Sequence, residues 1–386
     1  MSVTLQESSV FRLQKDVRSV VCRSLEEAEV WDDFLGQCPE ALIEQSTAWS
    51  RLKQVYGWKP TFTWVARGEQ ILGGAMILVK RICGLTIGYV ERGPLWDENE
   101  PGAAGLVTET LFKIAQSLRL AYLTVVPPYG GHNLIPVLEA HGFKPKPAVV
   151  PPAGVGRATL LLDLRPDLDS LMAAMSMTKR QNIRRGLKKG VRVRLGDGKD
   201  AQTLRDLMWL ACKRRGVAPG PAEPDFFDNV WLLLGQQGYA RFFVAEVNGE
   251  PVSAACVLVF GATAQLLRVG WSGRYEEINP NDALHWEMIK WAKENGCREF
   301  DFMHIRPDHA QALLAGRKIN DTYSGVTYFK TAFGGKLRLL PEIYYRSFHP
   351  LVRSVLRAGG ERVIGSAAAG KVLNQAARLM RSLKTQ

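Results

Sequence analysis

No run of eighteen apolar residues occurs in this 386-residue chain, so no segment is long and apolar enough to span a bilayer as a helix. The first sixteen residues alternate polar and apolar side chains and lack the apolar centre of a secretory signal, which predicts a cytoplasmic protein. Cysteine is sparse: Cys22, Cys38, Cys83, Cys212, Cys256 and Cys297 are scattered without a Cys-x-x-Cys pair, the pattern of reduced thiols. The six histidines show no ligand spacing, and no metal is expected. Also missing are a Gly-x-Ser-x-Gly nucleophile elbow, a local Cys/His signature and a Gly-x-x-x-x-Gly-Lys-Ser/Thr phosphate loop. These absences leave little room for covalent nucleophilic catalysis or nucleoside triphosphate hydrolysis.

Positive charge is what the chain has in excess, with a formal net charge of +12. Part of it is concentrated: Lys179, Arg180, Arg184, Arg185, Lys188, Lys189, Arg192 and Arg194 follow one another closely. Such a balance suits an anionic partner, whether nucleic acid, a diphosphate or an acidic membrane surface, although a basic surface also serves solubility alone.

The length suits two domains, and the two halves echo each other. Phe62–Glu69 and Ile71–Val79 are apolar runs joined by a turn. Phe242–Glu250 and Val252–Phe260 repeat the arrangement about 180 residues later, with Asn248-Gly249 as a tight hairpin turn. Each hairpin is followed by another strand, ending at Arg92-Gly93-Pro94 in one copy and near Gly270-Trp271 in the other. Amphipathic helices at Ala104–Leu118 and Ala283–Glu294 come next and feed short strands at Ala121–Val126 and Glu299–Phe302. Helices precede each hairpin, at Glu26–Leu35 and Thr47–Val55 and at Asp200–Lys213. The expectation is a duplicated α/β (α+β) unit. Pro145-Lys146-Pro147 and Pro151-Pro152 mark a junction near residue 150, giving domains 1–150 and 151–349. The remainder, 350–386, is basic and helical, with Val372, Leu373, Ala376, Leu379, Met380 and Leu383 on one face. It suits either a membrane interface or packing on the body of the protein.

Near the end of the second half, Gly325–Gly335 sets Lys330 between Phe329 and Phe333, with Tyr328 adjacent, ahead of Gly334-Gly335. It reads as a strand or turn, with glycines that let backbone approach something closely. Upstream, Pro280-Asn281-Asp282 opens a helix that runs into Glu299-Phe300-Asp301-Phe302. A lysine, aromatics and a glycine pair suit an anionic ligand, though alone they also describe a surface turn.

Together these blocks resemble the Fem family of aminoacyl-tRNA-dependent peptidoglycan aminoacyltransferases, with its Asp-Phe strand end and Phe-Lys-x-x-Phe-Gly signature. Gln45-Ser46-Thr47-Ala48-Trp49-Ser50-Arg51-Leu52-Lys53 is similar to that family's Gln-Ser-x-x-Trp-x-x-x-Lys helix start. Arg92-Gly93-Pro94 and Lys179–Val191 are similar to its Arg-Gly-Pro strand end and basic helix. The resemblance spans roughly residues 41 to 345. It implies two tandem GNAT-like acyltransferase domains, here with no coiled-coil arm. It also implies transfer of an amino acid from aminoacyl-tRNA to a UDP-MurNAc-peptide or lipid-linked peptidoglycan precursor, without cofactor, in the cytoplasm. A peripheral contact at the inner membrane face is a further expectation.

By the same resemblance Lys330, Phe329 and Asp301 are the catalytic candidates. Lys53, Trp49, Tyr328 and one or other of Arg180 and Arg184 are the substrate-binding ones. Asp301 would orient Lys330 or accept a proton; equally it could be a cap or ion-pair partner. His304 stands where the family pattern leads one to expect glycine. An acyl-CoA-dependent GNAT N-acyltransferase is the alternative. Its pyrophosphate loop would fall at Asp97–Gly102 or Ser272–Glu277, where Glu98, Glu100, Glu276 and Glu277 would repel the phosphates.

Overall fold

The computed structural model describes residues 8–350 apart from 15, 83, 147–155 and 322, together with residue 353. The expected boundary near residue 150 and nearly all of the basic segment 350–386 lie outside the described residues. The chain divides into two compact units, one of Met1–Val155 with Leu340–Gln386, the other of Gly156–Leu339.

The first unit is built on a nine-stranded sheet. Its strands are β1 (Ser8–Gln14), β2 (Val17–Cys22), β3 (Lys59–Arg67), β4 (Gln70–Ile82), β5 (Leu85–Val90), β6 (Leu95–Trp96), β7 (Tyr122–Val125) and β8 (Lys144–Pro145), with β16 (Tyr344–Ser347) returning from the far end of the chain. The order is β1-β2-β3-β4-β5-β7-β16-β8, with β6 on β4. The pairs from β1 to β5 are antiparallel; β5 and β7 are parallel. Its helices include α1 (Glu29–Gln37), α2 (Thr47–Val55), α3 (Ala103–Ser117) and α4 (Leu134–Ala140). Val107, Leu111 and Ile114 recur at helical spacing along α3 and bury against Ile77, Val90 and Leu123 of the sheet. A parallel pair needs such a crossover helix.

The second unit has a seven-stranded sheet of β9 (Ala158–Asp163), β10 (Arg192–Leu195), β11 (Ala240–Val247), β12 (Glu250–Phe260), β13 (Thr263–Trp271), β14 (Glu299–Asp301) and β15 (Lys336–Leu339). The order is β10-β11-β12-β13-β14-β9-β15, with β13 and β14 as its parallel pair. Helices α5 (Leu168–Ala174), α6 (Met177–Lys188), α7 (Asp200–Arg215), α8 (Phe226–Val230), α9 (Pro280–Glu294), α10 (Pro307–Leu314) and α11 (Ser324–Thr331) belong to it. The β11–β12 turn has Asn248 at φ 53° and Gly249 at φ 79°, the positive-φ pair that the Asn-Gly signal requires. Hairpin, strand, crossover helix and parallel strand recur in both units, as the sequence pattern implies.

Two expectations are corrected. The segment bearing Lys330 is neither strand nor turn but helix α11. Its β-branched and aromatic residues favour strands in isolation. The helix wins because Phe329 and Phe333, four residues apart, then meet the same aromatic cluster. Gly335, at φ 90°, does allow a close approach, but to the backbone of β9: a Cβ there would lie 2.7 Å from the Leu161 carbonyl oxygen. The second correction concerns the expected end at residue 349. The second sheet ends with Leu339, and β16 pairs with β7 and β8 of the first. Tyr344 is buried in the first unit's core, and its hydroxyl donates to Glu139 Oε1 at 2.8 Å. Burying that aromatic is what draws the chain back.

Candidate functional site

In the second unit, β14 delivers Asp301 at the end of the parallel pair. The carboxylate is fully buried, and its Oδ1 accepts from the Thr159 hydroxyl and from the Met303 amide at 2.7 Å. Asp301 therefore caps a turn in which Met303 (φ 50°) and His304 (φ 44°) both take left-handed backbone. The glycine that the family pattern led one to expect at 304 would suit this backbone, since glycine takes positive φ without a Cβ penalty. His304 occupies it against Gly156, where an added Cβ would come 2.9 Å from the imidazole.

Lys330 reaches this turn from α11. Its Nζ donates to the carbonyls of Phe302 (2.9 Å), Met303 (2.6 Å) and His304 (3.3 Å). An ammonium has three protons, so the turn satisfies all of them. Desolvation pushes the Lys330 pKa down to about 8, opposed by the charge of Asp301 and reinforced by Arg268 and Arg215. Lys330 and Asp301 thus belong to one construction: a carboxylate and an ammonium brace the same strand end.

Behind them lies a cluster not singled out from the sequence. Lys179 of α6 is 4% exposed and ion-paired with Asp282 of α9 at 2.8 Å. Its ammonium sits 3.7 Å from the Phe329 ring centre and 4.3 Å from that of Phe333. Desolvation lowers the Lys179 pKa, with Asp282 opposing. His285, buried on α9, packs against Phe302, Phe329 and Phe333. Its Nδ1 lies 2.7 Å from the Asn281 carbonyl, which can only accept, so Nδ1 carries the proton. The only sequence signal for this cluster was spacing: Phe329 and Phe333 one turn apart, and Asp282 and His285 three apart on a helix.

Burial, helped by the charges of Lys179 and Lys330, pushes the His285 pKa down to about 3. Its unfolded value is near 6.5, so the unfolded state binds the proton first and stability falls as pH drops below about 6.5. Between pH 7 and 4.5 the loss attributable to His285 is about 2–3 kcal/mol. Denaturant unfolding of wild type and His285→Phe over this range checks it. Equal acid sensitivity in the two would contradict the assignment.

The other expected residues divide. Tyr328 is partly exposed, and its hydroxyl both accepts from the Ile319 amide at 3.0 Å and donates to the Ile319 carbonyl at 3.1 Å. Arg180 donates from Nη1 to the Ala173 and Met175 carbonyls, both at 2.8 Å, closing the end of α5. Arg184 is exposed on the outer face of α6, beside Arg185 and Lys188. The structure distinguishes the two arginines where the sequence did not: Arg180 is tied into the fold, whereas Arg184 presents its charge outward.

In the first unit, Gln45 precedes the helix that carries Lys53 and locks it to the sheet, donating to the Glu91 carbonyl at 2.6 Å and accepting from the Met76 amide at 2.8 Å. Ser46 caps α2, its hydroxyl accepting from the Trp49 amide at 3.1 Å. Trp49 is buried and donates its indole N–H to Glu91 Oε2 at 3.1 Å. Lys53 lies over that indole, 4.7 Å from its centre, and 3.4 Å from Glu91 Oε2, with its side chain 24% exposed. Arg92 is buried against the Tyr129 ring. Trp49 is thus the wall that holds Glu91 and Lys53 in place.

Among the described residues, one group has metal-ligand composition: Asp308, His309 and Asp321. Both His309 ring nitrogens are engaged, Nδ1 with the Thr327 hydroxyl and Nε2 with Asp321, each at 2.8 Å. Arg306 pairs with both aspartates. The acidic residues that opposed coenzyme A lie in the strand-to-helix connections, Glu98 and Glu100 before α3, Glu276 and Glu277 before α9; Glu100 is paired with Arg67 at 3.0 Å.

The Acetyltransferase (GNAT) domain family matches residues 177–311. Lipid II:glycine glycyltransferase of Staphylococcus aureus (strain USA300) is 24% identical over 307 residues, covering 76% of this chain; the chain spans 64% of that relative's length. The crystal structure of FemX superposes with a TM-score of 0.74 at 18% identity, over 86% of this chain and 98% of that one. A tandem GNAT protein from the clavulanic acid biosynthesis pathway gives 0.53 at 12% identity, over 86% and 98%. The fold is accordingly a tandem GNAT fold.

Proposed function

We propose that this chain, a Fem-family homologue by its kinship with the glycyltransferase and its shared fold with FemX, is an aminoacyltransferase of peptidoglycan synthesis. It moves an amino acid from aminoacyl-tRNA to the amine of a precursor peptide, UDP-MurNAc-linked or lipid-linked. The amine nitrogen attacks the ester carbonyl, a C–N bond forms, and the C–O bond to the tRNA ribose breaks. The ribose oxygen leaves with the proton that the amine gives up. The ester is already activated, so no cofactor is required. What such a step needs is orientation and a cation near the developing oxyanion.

The observation that carries this reading is Lys330, an ammonium held at the parallel strand end with its pKa near 8. It is largely charged at neutral pH and only partly exposed. In this reading its charge supports the oxyanion while its hydrogen bonds shape the 302–304 turn. Lys53 contacts the acceptor diphosphate. Arg184, with Arg185 and Lys188, takes phosphates of the tRNA backbone, a contact that weakens with salt. The reaction belongs in the cytoplasm, with any membrane contact peripheral; no described helix is long and apolar enough to cross a membrane.

Offering the protein charged total tRNA together with UDP-linked and lipid-linked precursors, and weighing the acceptors by mass spectrometry, tests the proposal. The expected result is one added amino-acid residue on one of them. Acceptors of unchanged mass overturn it.

A further inference from the structure

Glu44 lies in the 3-10 turn Ile43–Gln45 immediately ahead of α2. It is 5% exposed, and its Oε2 has no hydrogen-bond partner. A buried carboxyl oxygen left bare ahead of the helix that carries Lys53 calls for an occupant or a proton. The charged groups around it come from two elements besides its own. Glu91, beyond the end of β5, repels it; Arg92, from the same connection, and Lys53, from α2, attract it. Tyr89 of β5 also faces it, and burial holds that phenol well above its usual range, so it stays neutral. Burial first, and Glu91 second, raise the Glu44 carboxyl to about 7.

Lys53 is the member of this set that can leave it. Its side chain is 24% exposed, and its ion pair with Glu91 is loose at 3.4 Å, whereas Glu91 is anchored by the Trp49 indole. A phosphate-bearing ligand that engages Lys53 cancels its attraction for the two carboxyls and adds negative charge of its own. A buried carboxyl beside a second, partly exposed carboxylate cannot stay ionised cheaply once the cation opposing both is drawn away.

We propose that Glu44 is a positioning residue of the Lys53 site: when a diphosphate ligand takes Lys53 from Glu91, Glu44 Oε2 takes up one proton from solvent, leaving a single negative charge on the carboxyl pair. The proposal rests on the reading of Lys53 given above. Proton uptake on binding makes affinity pH-dependent between the free value near 7 and the higher value in the complex. Below about 7 Glu44 is protonated in both states, and affinity is flat. Above it, Kd rises by up to about tenfold per pH unit until the bound value is passed.

Titration calorimetry of the full chain with the UDP-linked muramyl peptide, in buffers of different ionisation enthalpy near pH 8, counts the protons directly. Wild type is expected to take up roughly half to one proton, and Glu44→Gln none, with an affinity flat across the neutral range. No uptake by wild type, or equal uptake by Glu44→Gln, overturns the proposal; the wild-type count decides even if the variant folds poorly. Lys53→Met separates the two readings. Weakening at every pH is expected, and unchanged binding would remove Lys53 as the acceptor contact, and with it the basis for a role of Glu44.

Discussion

Lys179→Met is expected to destabilise the second unit by about 3–5 kcal/mol, since it strands the buried Asp282 carboxylate without its partner. Asp282→Asn, which strands the ammonium among Phe329 and Phe333, should fall in the same range. The double variant Lys179→Met/Asp282→Leu should recover much of either loss, because an apolar pair of similar volume avoids desolvating both charges. Chemical denaturation of the three variants checks the pattern. Single variants within about 0.5 kcal/mol of wild type would show that the pair does not hold α6 to α9. The substitution also removes a cation lying against the ring of Phe329, next to Lys330, so a loss of transfer in folded Lys179→Met is expected to accompany the loss of stability.

Lys330→Met is expected to lower the transfer rate by about 10²–10³ with a smaller change in acceptor KM, the signature of a charge that matters most as the oxyanion forms. Because the pKa lies near 8, the wild-type rate, corrected for ionisation of the acceptor amine, should fall as pH rises through that value. The sign follows from the charge: deprotonation removes the cation. Lys330→Arg stays charged, and whatever activity it retains should lack that fall. A variant that melts as wild type does yet transfers at the wild-type rate would reduce Lys330 to a brace for the turn.

Much of the architecture was legible because its signals are local. Asn248-Gly249 dictates a hairpin through two positive φ angles, and the apolar spacing of Val107, Leu111 and Ile114 dictates the face that α3 buries. The features that were missed are not local. The placement of β9 between β14 and β15 depends on partners more than a hundred residues apart, and the return of β16 depends on a core that Tyr344 meets only after folding.

The motifs of the site were legible and the contacts of their side chains were not, for a related reason. Lys53, Lys330 and Asp301 stand in motifs that could be recognised, but a motif does not say where a side chain's protons go: those of Lys330 go to three carbonyls. Lys179 was hidden in a basic run, where one buried cation looks like its solvated neighbours. Arg180 and Arg184, four apart on one helix, looked equivalent until one was seen tied to the end of α5. Glu44 gave no signal at all, since what marks it is a buried oxygen to which nothing bonds.

The central claim is that an aminoacyl group, carried by tRNA, is what this tandem GNAT fold transfers. The most direct measurement places charged tRNA and acetyl-CoA together with one peptidoglycan precursor and follows the acceptor by mass spectrometry over time. The account predicts that the acceptor gains one amino-acid residue, at a rate that collapses in Lys330→Met, and gains no acetyl group. An acetylated acceptor, formed in preference to the aminoacylated one, would contradict it.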